Sequence, residues 1–284
     1  IVVQNMPGAA GVAMTNYMFA QAAKDGSVIG LGPGPLATAA LIGTGGARYD
    51  ARKLSWIGSM NAEVATAVAW HTQKVKTAKD LEANELVVAA GGVNDISAIA
   101  PTAVATLLGF KIKVVTGYKG SAGQMLAMER GEVGGIGGFN YGTLKSVRPK
   151  WLSEKLVNIL LQYSFEPHPE LTSVPTLPQL AKTDEQKQVL ALIFRPQQMG
   201  RPIFGPPGIP SERLAVLRAA FDAFVKDAAV LAEAEKTSTE LYKPMRGEDM
   251  EKLVAELHTS SPDVVQKAAA AMLPADTLTK PGKR

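Results

Sequence analysis

From Leu86 to Arg130 the chain twice repeats one pattern: an unbroken apolar run, a glycine-rich turn, then apolar positions at helical spacing. The first repeat predicts a strand over 86–90, a turn over 91–97 and a helix over 98–108. The second predicts a strand over 112–115, a turn over 116–121 and a helix over 122–130. Short continuous apolar runs ended by glycine read as buried strands, and spacings of three and four read as helix faces.

The same alternation extends along the rest of the chain. Residues 1–3 read as a strand, 4–11 as a Gly/Pro turn, 12–23 as a helix and 28–31 as a strand. Gly32-Pro33-Gly34-Pro35 then turns into a small-residue helix over 36–42. The stretch 56–70 is apolar and extended, broken at Gly58-Ser59-Met60-Asn61, and Thr77 is placed to cap a helix from Ala78. Further on, 134–138 predicts a buried glycine-rich strand leading to Phe139-Asn140-Tyr141, and 156–161 predicts another strand. A loop over 167–178 precedes a helix over 179–193, and a strand over 199–204 closes on Gly205-Pro206-Pro207-Gly208. Ser211 is then placed to cap a helix running to Lys226, with helices over 228–236, 248–257 and 262–272 and a frayed basic tail after them. Strands alternating with helices predict an α/β fold with largely parallel sheets.

Chemistry enters at the glycine-rich turns. A helix start carries unpaired backbone N–H groups and the positive end of the helix dipole, so small residues there make a place for an anion. In the first turn Gly91, Gly92 and Val93 offer amides, and Asn94 and Ser97 add side-chain donors. In the second, Gly120 and Ser121 offer amides and a hydroxyl beside Tyr118 and Lys119. Each turn is equally readable as a tight β–α connection with an Asx cap and no ligand. A G-x-G-x-x-G dinucleotide fingerprint is absent.

Composition narrows the choice. The 284 residues exceed a typical single domain, and 46% hydrophobic with 20% charged residues is ordinary for a globular protein. The net charge of +4 is scattered, without a dense basic run interleaved with aromatics, which argues against nucleic acid as a partner and fits small anionic ligands. With no cysteine, disulfides, thiolate metal sites and cysteine nucleophiles are excluded. His71, His168 and His258 stand far apart without metal-ligand neighbours, so neither a metal nor another cofactor is expected.

The series Val2-Val3-Gln4-Asn5-Met6-Pro7-Gly8-Ala9-Ala10-Gly11, Lys24-Asp25-Gly26 and Gly117-Tyr118-Lys119-Gly120-Ser121 continues through three more motifs: Glu129-Arg130-Gly131-Glu132-Val133, Val174-Pro175-Thr176 and Gly205-Pro206-Pro207-Gly208-Ile209-Pro210. In order and spacing, over residues 1 to about 260, it resembles the periplasmic solute-binding receptors of tripartite tricarboxylate transporters, the Bordetella uptake gene family. The resemblance implies a two-lobed type II periplasmic-binding-protein (Venus flytrap) fold that traps a small organic carboxylate for membrane permease subunits. One lobe would hold 1–66 and 200–284 and the other 67–199, with hinge crossings near 57–70 and 199–205. It also places Gly32, Pro33 and Gly34 at the ligand cleft; Asn61, a polar residue in an apolar crossing segment, and Phe139 and Asn140, at a strand end, are further ligand candidates read from the residues themselves. For Gly32-Pro33-Gly34-Pro35 the plainer reading is a stiff turn, for Asn61 a tie between the hinge strands, and for Phe139 and Asn140 core packing.

Two departures stand out. Relatives carry a further strand and helix before the segment matching Ile1, so a lobe lacking one strand and one ligand loop is expected. Asp95 places a carboxylate in the first turn, where it repels an anion unless it caps the helix. A ligand-sensing module for a signalling partner fits the same features. An enzyme fits less well, with no G-x-S-x-G elbow and no histidine beside a glycine-rich turn.

Overall fold

The computed structural model describes residues 1–93, 95–237 and 241–273. In chain order its strands are β1 (Gly30–Leu31), β2 (Ser55–Ser59), β3 (Ala65–Trp70), β4 (Leu86–Ala89), β5 (Ile112–Val115), β6 (Gly135–Asn140), β7 (Val157–Gln162), β8 (Pro202–Gly205) and β9 (Met245–Arg246). The α-helices are α1 (Val12–Ala20), α2 (Ile96–Leu108), α3 (Gly120–Glu129), α4 (Tyr141–Val147), α5 (Pro149–Ser153), α6 (Leu177–Leu180), α7 (Asp184–Phe194), α8 (Ser211–Phe224), α9 (Ala228–Lys236), α10 (Gly247–Leu257) and α11 (Pro262–Ala271). The chain divides into two compact units, Ile1–Glu63 with Leu192–Ser261, and Val64–Ala191 with Pro262–Arg284.

The first unit is built on a four-stranded sheet in the order β1-β8-β2-β9, with every pair antiparallel. Its core forms around Trp56 and Phe204, both fully buried with ring centroids 5.3 Å apart. The apolar faces of α8 and α10 cover β2. That packing dictates Gly58, because a Cβ there would lie 2.2 Å from the Phe221 ring. Met250, Leu253, Val254 and Leu257 repeat at helical spacing and are the buried face of α10.

The second unit carries a five-stranded sheet in the order β5-β4-β6-β3-β7. β4 pairs in parallel with β5 and β6, whereas β3 runs antiparallel to β6 and β7. α2 lies directly on β6, and the glycines of that strand make this possible: a Cβ on Gly137 would fall 2.4 Å from Pro101 Cγ, and one on Gly138 2.4 Å from the Ile96 carbonyl oxygen. The glycine-rich run that reads as a buried strand is therefore the seat of the helix start that follows the first turn.

Several expectations change on the structure. The sheets are not largely parallel: the first is antiparallel throughout, and in the second β3 lies antiparallel between β6 and β7. Residues 1–3 are exposed and form no strand, having no pairing partner. Ser211 opens α8 instead of capping it; Pro210 takes the cap position without a side-chain bond. Thr77 does form a capping box, with Asp80. The units divide after Glu63 and Ala191, and α11 packs against α2 in the second unit, where Val264, Ala268 and Ala271 are buried and Lys267 bonds Glu185. The 57–70 stretch is two strands, one in each unit, and β2 pairs with β8 inside the first. The basic tail after residue 273 lies outside the described residues. Among those described, no helix is long and apolar enough to cross a membrane.

Candidate functional site

The two glycine-rich turns leave the carboxyl ends of neighbouring parallel strands, the edge at which open α/β sheets bind ligands. They are stitched to each other. The Gly117 amide donates to the Gly91 carbonyl at 2.8 Å and the Tyr118 amide to the Ala90 carbonyl at 3.2 Å. Positive φ angles of 106° at Gly117 and 61° at Gly120 explain glycine at those two bends.

Within the first turn the amides are not all open. The Gly91 N–H donates to Ser97 Oγ at 3.1 Å, and the Gly92 N–H donates to Asp95 Oδ2 at 2.6 Å. Asp95 holds the cap position of α2, and its carbonyl accepts from the Ala98 and Ile99 amides, each at 2.9 Å. Its carboxylate makes no bond to the helix; it reaches back onto the turn. A helix start leaves its first amides without partners inside the helix, and Ile96 and Ser97 are the first two residues of α2. Val93 is exposed, and Asn94 lies outside the described residues.

Ser97 is buried, and its Oγ also accepts from Gln124 Nε2 on α3 at 3.3 Å. A buried hydrogen bond thus joins the start of α2 to the helix that follows the second turn. Gln124 escaped the sequence reading. The available signal was a glutamine among Met125, Ala127 and Met128, the other residues of the buried face of α3. The second turn is more open: Gly120 and Ser121 are exposed, and Tyr118 is half-buried against the core.

Phe139 and Asn140 take structural positions. Phe139 is buried in the core cluster, and its carbonyl accepts from Thr66 Oγ1 at 3.0 Å. Asn140 caps α4 by accepting from the Thr143 amide at 3.0 Å. Beside them Tyr141 donates to Glu170 Oε2 at 3.0 Å, and Lys145 pairs with Glu170 Oε1 at 2.8 Å. The Lys145 hydrogen bond, with that of Tyr141, holds the Glu170 carboxyl below the usual range. Burial pushes the Tyr163 phenol up, and its hydroxyl donates to the Gly137 carbonyl at 2.5 Å.

In the first unit, Gly32 donates its amide to the Pro202 carbonyl at 3.2 Å, and Pro33 caps the short 3-10 turn Gly34–Ala37. Gly34 is glycine because a Cβ would come within 2.1 Å of the Pro196 carbonyl oxygen and 2.5 Å of that of Met199. Close packing therefore accounts for this Gly/Pro turn. Asn61 sits where two segments are laced together: its carbonyl accepts from the Gly200 amide at 2.9 Å, and the Glu63 amide donates to the Gln197 carbonyl at 2.9 Å. The Asn61 Oδ1 is buried without a hydrogen-bond partner. Burial raises the Glu63 carboxyl, opposed by Arg201 at 2.8 Å.

Among the described residues no group of three or more His, Asp or Glu is placed to hold a metal ion. The chemistry these turns offer is hydrogen-bond donation at two adjacent helix starts.

No protein-family model and no curated protein sequence matches the chain. Solved structures do. A TctC solute-binding protein from Polaromonas is 19% identical with a TM-score of 0.71, over 96% of this chain and 87% of that one. MatC from Rhodopseudomonas palustris, solved with bound malate, is 20% identical with a TM-score of 0.62, over 92% and 86%. Rpa4515 from R. palustris, solved with adipate, is 20% identical with a TM-score of 0.61, over 94% and 86%. Across nearly its whole length, the chain has the type II periplasmic-binding-protein fold of these solute-binding proteins.

Proposed function

We propose that this protein is a periplasmic solute-binding receptor that captures a small organic carboxylate and delivers it to the membrane permease of a tripartite tricarboxylate-type transporter. The observation that carries the reading is the near-complete match of fold to solute-binding proteins, two of them solved with the dicarboxylates malate and adipate. The adjacent helix starts of the second unit support it, since they supply what a carboxylate needs without a fixed cation: oriented N–H groups and the field of two helix dipoles.

In this reading the ligand's carboxylate is met by the amides and hydroxyl of Gly120 and Ser121, with Tyr118 as a wall. Ser97 and Gln124 hold the neighbouring turn in shape through the buried Gly91, and Gly92 and Val93 form its surface. Asp95, exposed, borders that surface. In the first unit Gly32, Pro33, Gly34 and Asn61 stay ligand candidates on the sequence alone; in the second, Phe139 packs in the core and Asn140 caps α4.

The test is a thermal-shift panel of mono-, di- and tricarboxylates against neutral analogues of the same size. Ligand at a hundred times its Kd stabilises the folded state by about 2.7 kcal/mol. At least one carboxylate is therefore expected to raise the melting temperature by several degrees. A panel with no shift for any carboxylate would retire the proposal.

A further inference from the structure

The chain leaves the first unit after Glu63, and there it runs beside residues 197–201 of the segment that returns to that unit. Backbone bonds tie the two segments: the Glu63 amide donates to the Gln197 carbonyl and the Gly200 amide to the Asn61 carbonyl, each at 2.9 Å. The Arg201 amide donates to Ser59 Oγ at 3.1 Å, and Ser59 Oγ donates to the Asn61 carbonyl at 3.2 Å. The crossing is packed so closely that a Cβ on Gly200 would fall 2.6 Å from Glu63 Cγ and 3.0 Å from the Asn61 carbonyl oxygen.

The side chains there are less well matched than the backbone. Asn61 Oδ1 is buried without a hydrogen-bond partner. The Glu63 side chain is only 26% exposed, and the Arg201 guanidinium that pairs with it at 2.8 Å is 51% exposed. Water screens a pair whose cation stands that far out, while the carboxylate has given up much of its own hydration. Among the described residues Arg201 is the charge that acts on Glu63; the Gln197 and Asn61 carbonyls and Gly200 around it are neutral. Burial outweighs Arg201 and raises the Glu63 carboxyl. The closed crossing therefore holds a proton more tightly than an opened one. Its stability is greatest at acid pH and is lost as pH rises through the raised value.

From this we infer that Glu63 is a pH-sensitive catch on the chain crossing: ionised, it loosens the hold of residues 61–63 on 197–201, and neutral, it lets the two segments close. The catch lies within the first unit and needs no ligand, so it is tested apart from the receptor reading and its failure leaves that reading standing.

The experiment is hydrogen exchange of the full chain without ligand, read at the Glu63 and Gly200 amides relative to those of the β2–β8 ladder in the same sample. That ratio cancels the intrinsic pH dependence of exchange. Between about pH 8 and about pH 5, a range above the ordinary glutamate value, relative protection of both amides is expected to rise as the pH falls. The rise should exceed about twofold, the change that a substitution without a structural role makes in such an equilibrium. Glu63→Gln is expected to show the raised protection at both ends of the range. Arg201→Gln, at a half-exposed position, is expected to lower protection at the alkaline end and steepen the response. Wild-type protection that does not change with pH, or a Glu63→Gln chain that responds to pH as the wild type does, would overturn the role of Glu63. Should Glu63→Gln not fold, an Arg201→Gln chain with the wild-type response would overturn it equally.

Discussion

At the scale of single residues, the second unit's turn is held by side chains its own sequence supplies. Ser97 accepts from the buried Gly91 amide and from Gln124, so Ser97→Ala strands a buried N–H. An unsatisfied buried donor costs about 1–3 kcal/mol, and chemical denaturation is expected to show a loss of that size. A loss near zero would mean that the Gly91 amide finds another partner. The turn's candidates were readable in the sequence as residue types, because glycine, serine and aspartate before a helix have few other uses. What they bond to was not readable. Asp95 was expected to cap α2 or repel an anion, and the structure shows its carboxylate on the Gly92 amide. That choice depends on a local bend that no spacing rule encodes.

At the scale of elements, β6 and α2 form one unit of design. Glycines 137 and 138 give up β-propensity so that α2 can lie against the strand, placing the start of that helix at the end of the sheet. Gly137→Ala puts a methyl group against Pro101, whose ring has little freedom to move. Overpacking of this kind costs about 1–3 kcal/mol; denaturation midpoints should fall accordingly, and an unchanged midpoint would mean that α2 is free to shift. The strand at 134–138 was readable as buried from its glycines and isoleucine. Its reason, a helix sitting on it, involves Pro101 more than thirty residues earlier and is invisible to any local window. Strands 112–115 and 86–89 and the helices after them were readable because their apolar runs are unbroken and end on glycine.

At the scale of the whole molecule, the alternation of strands and helices gave the α/β class but not the direction of the strands. Parallel pairing requires a crossover; helices join β4, β5, β6 and β7 in turn, but β3 enters antiparallel between β6 and β7, which leaves β4 to pair in parallel with β5 and β6. The antiparallel sheet of the first unit pairs segments far apart in sequence, β2 with β8, so its register is set by long-range packing around Trp56 and Phe204. The two-residue strand β9 is too short to carry a period at all. Motif order across the chain supplied what periodicity lacked, and the fold match over more than nine-tenths of the chain agrees with it.

The central claim is that the second turn binds the ligand's carboxylate. It is tested most directly by measuring the Kd of the tightest carboxylate from the panel for the wild type and for Ser121→Asp. Ser121 is exposed at the first turn of α3, where an acidic residue is favourable to the helix, so the variant is expected to fold with an unchanged or slightly higher melting temperature. The new charge sits where the ligand's own carboxylate belongs, and affinity is expected to fall by about tenfold or more. An affinity equal to that of the wild type would contradict the account.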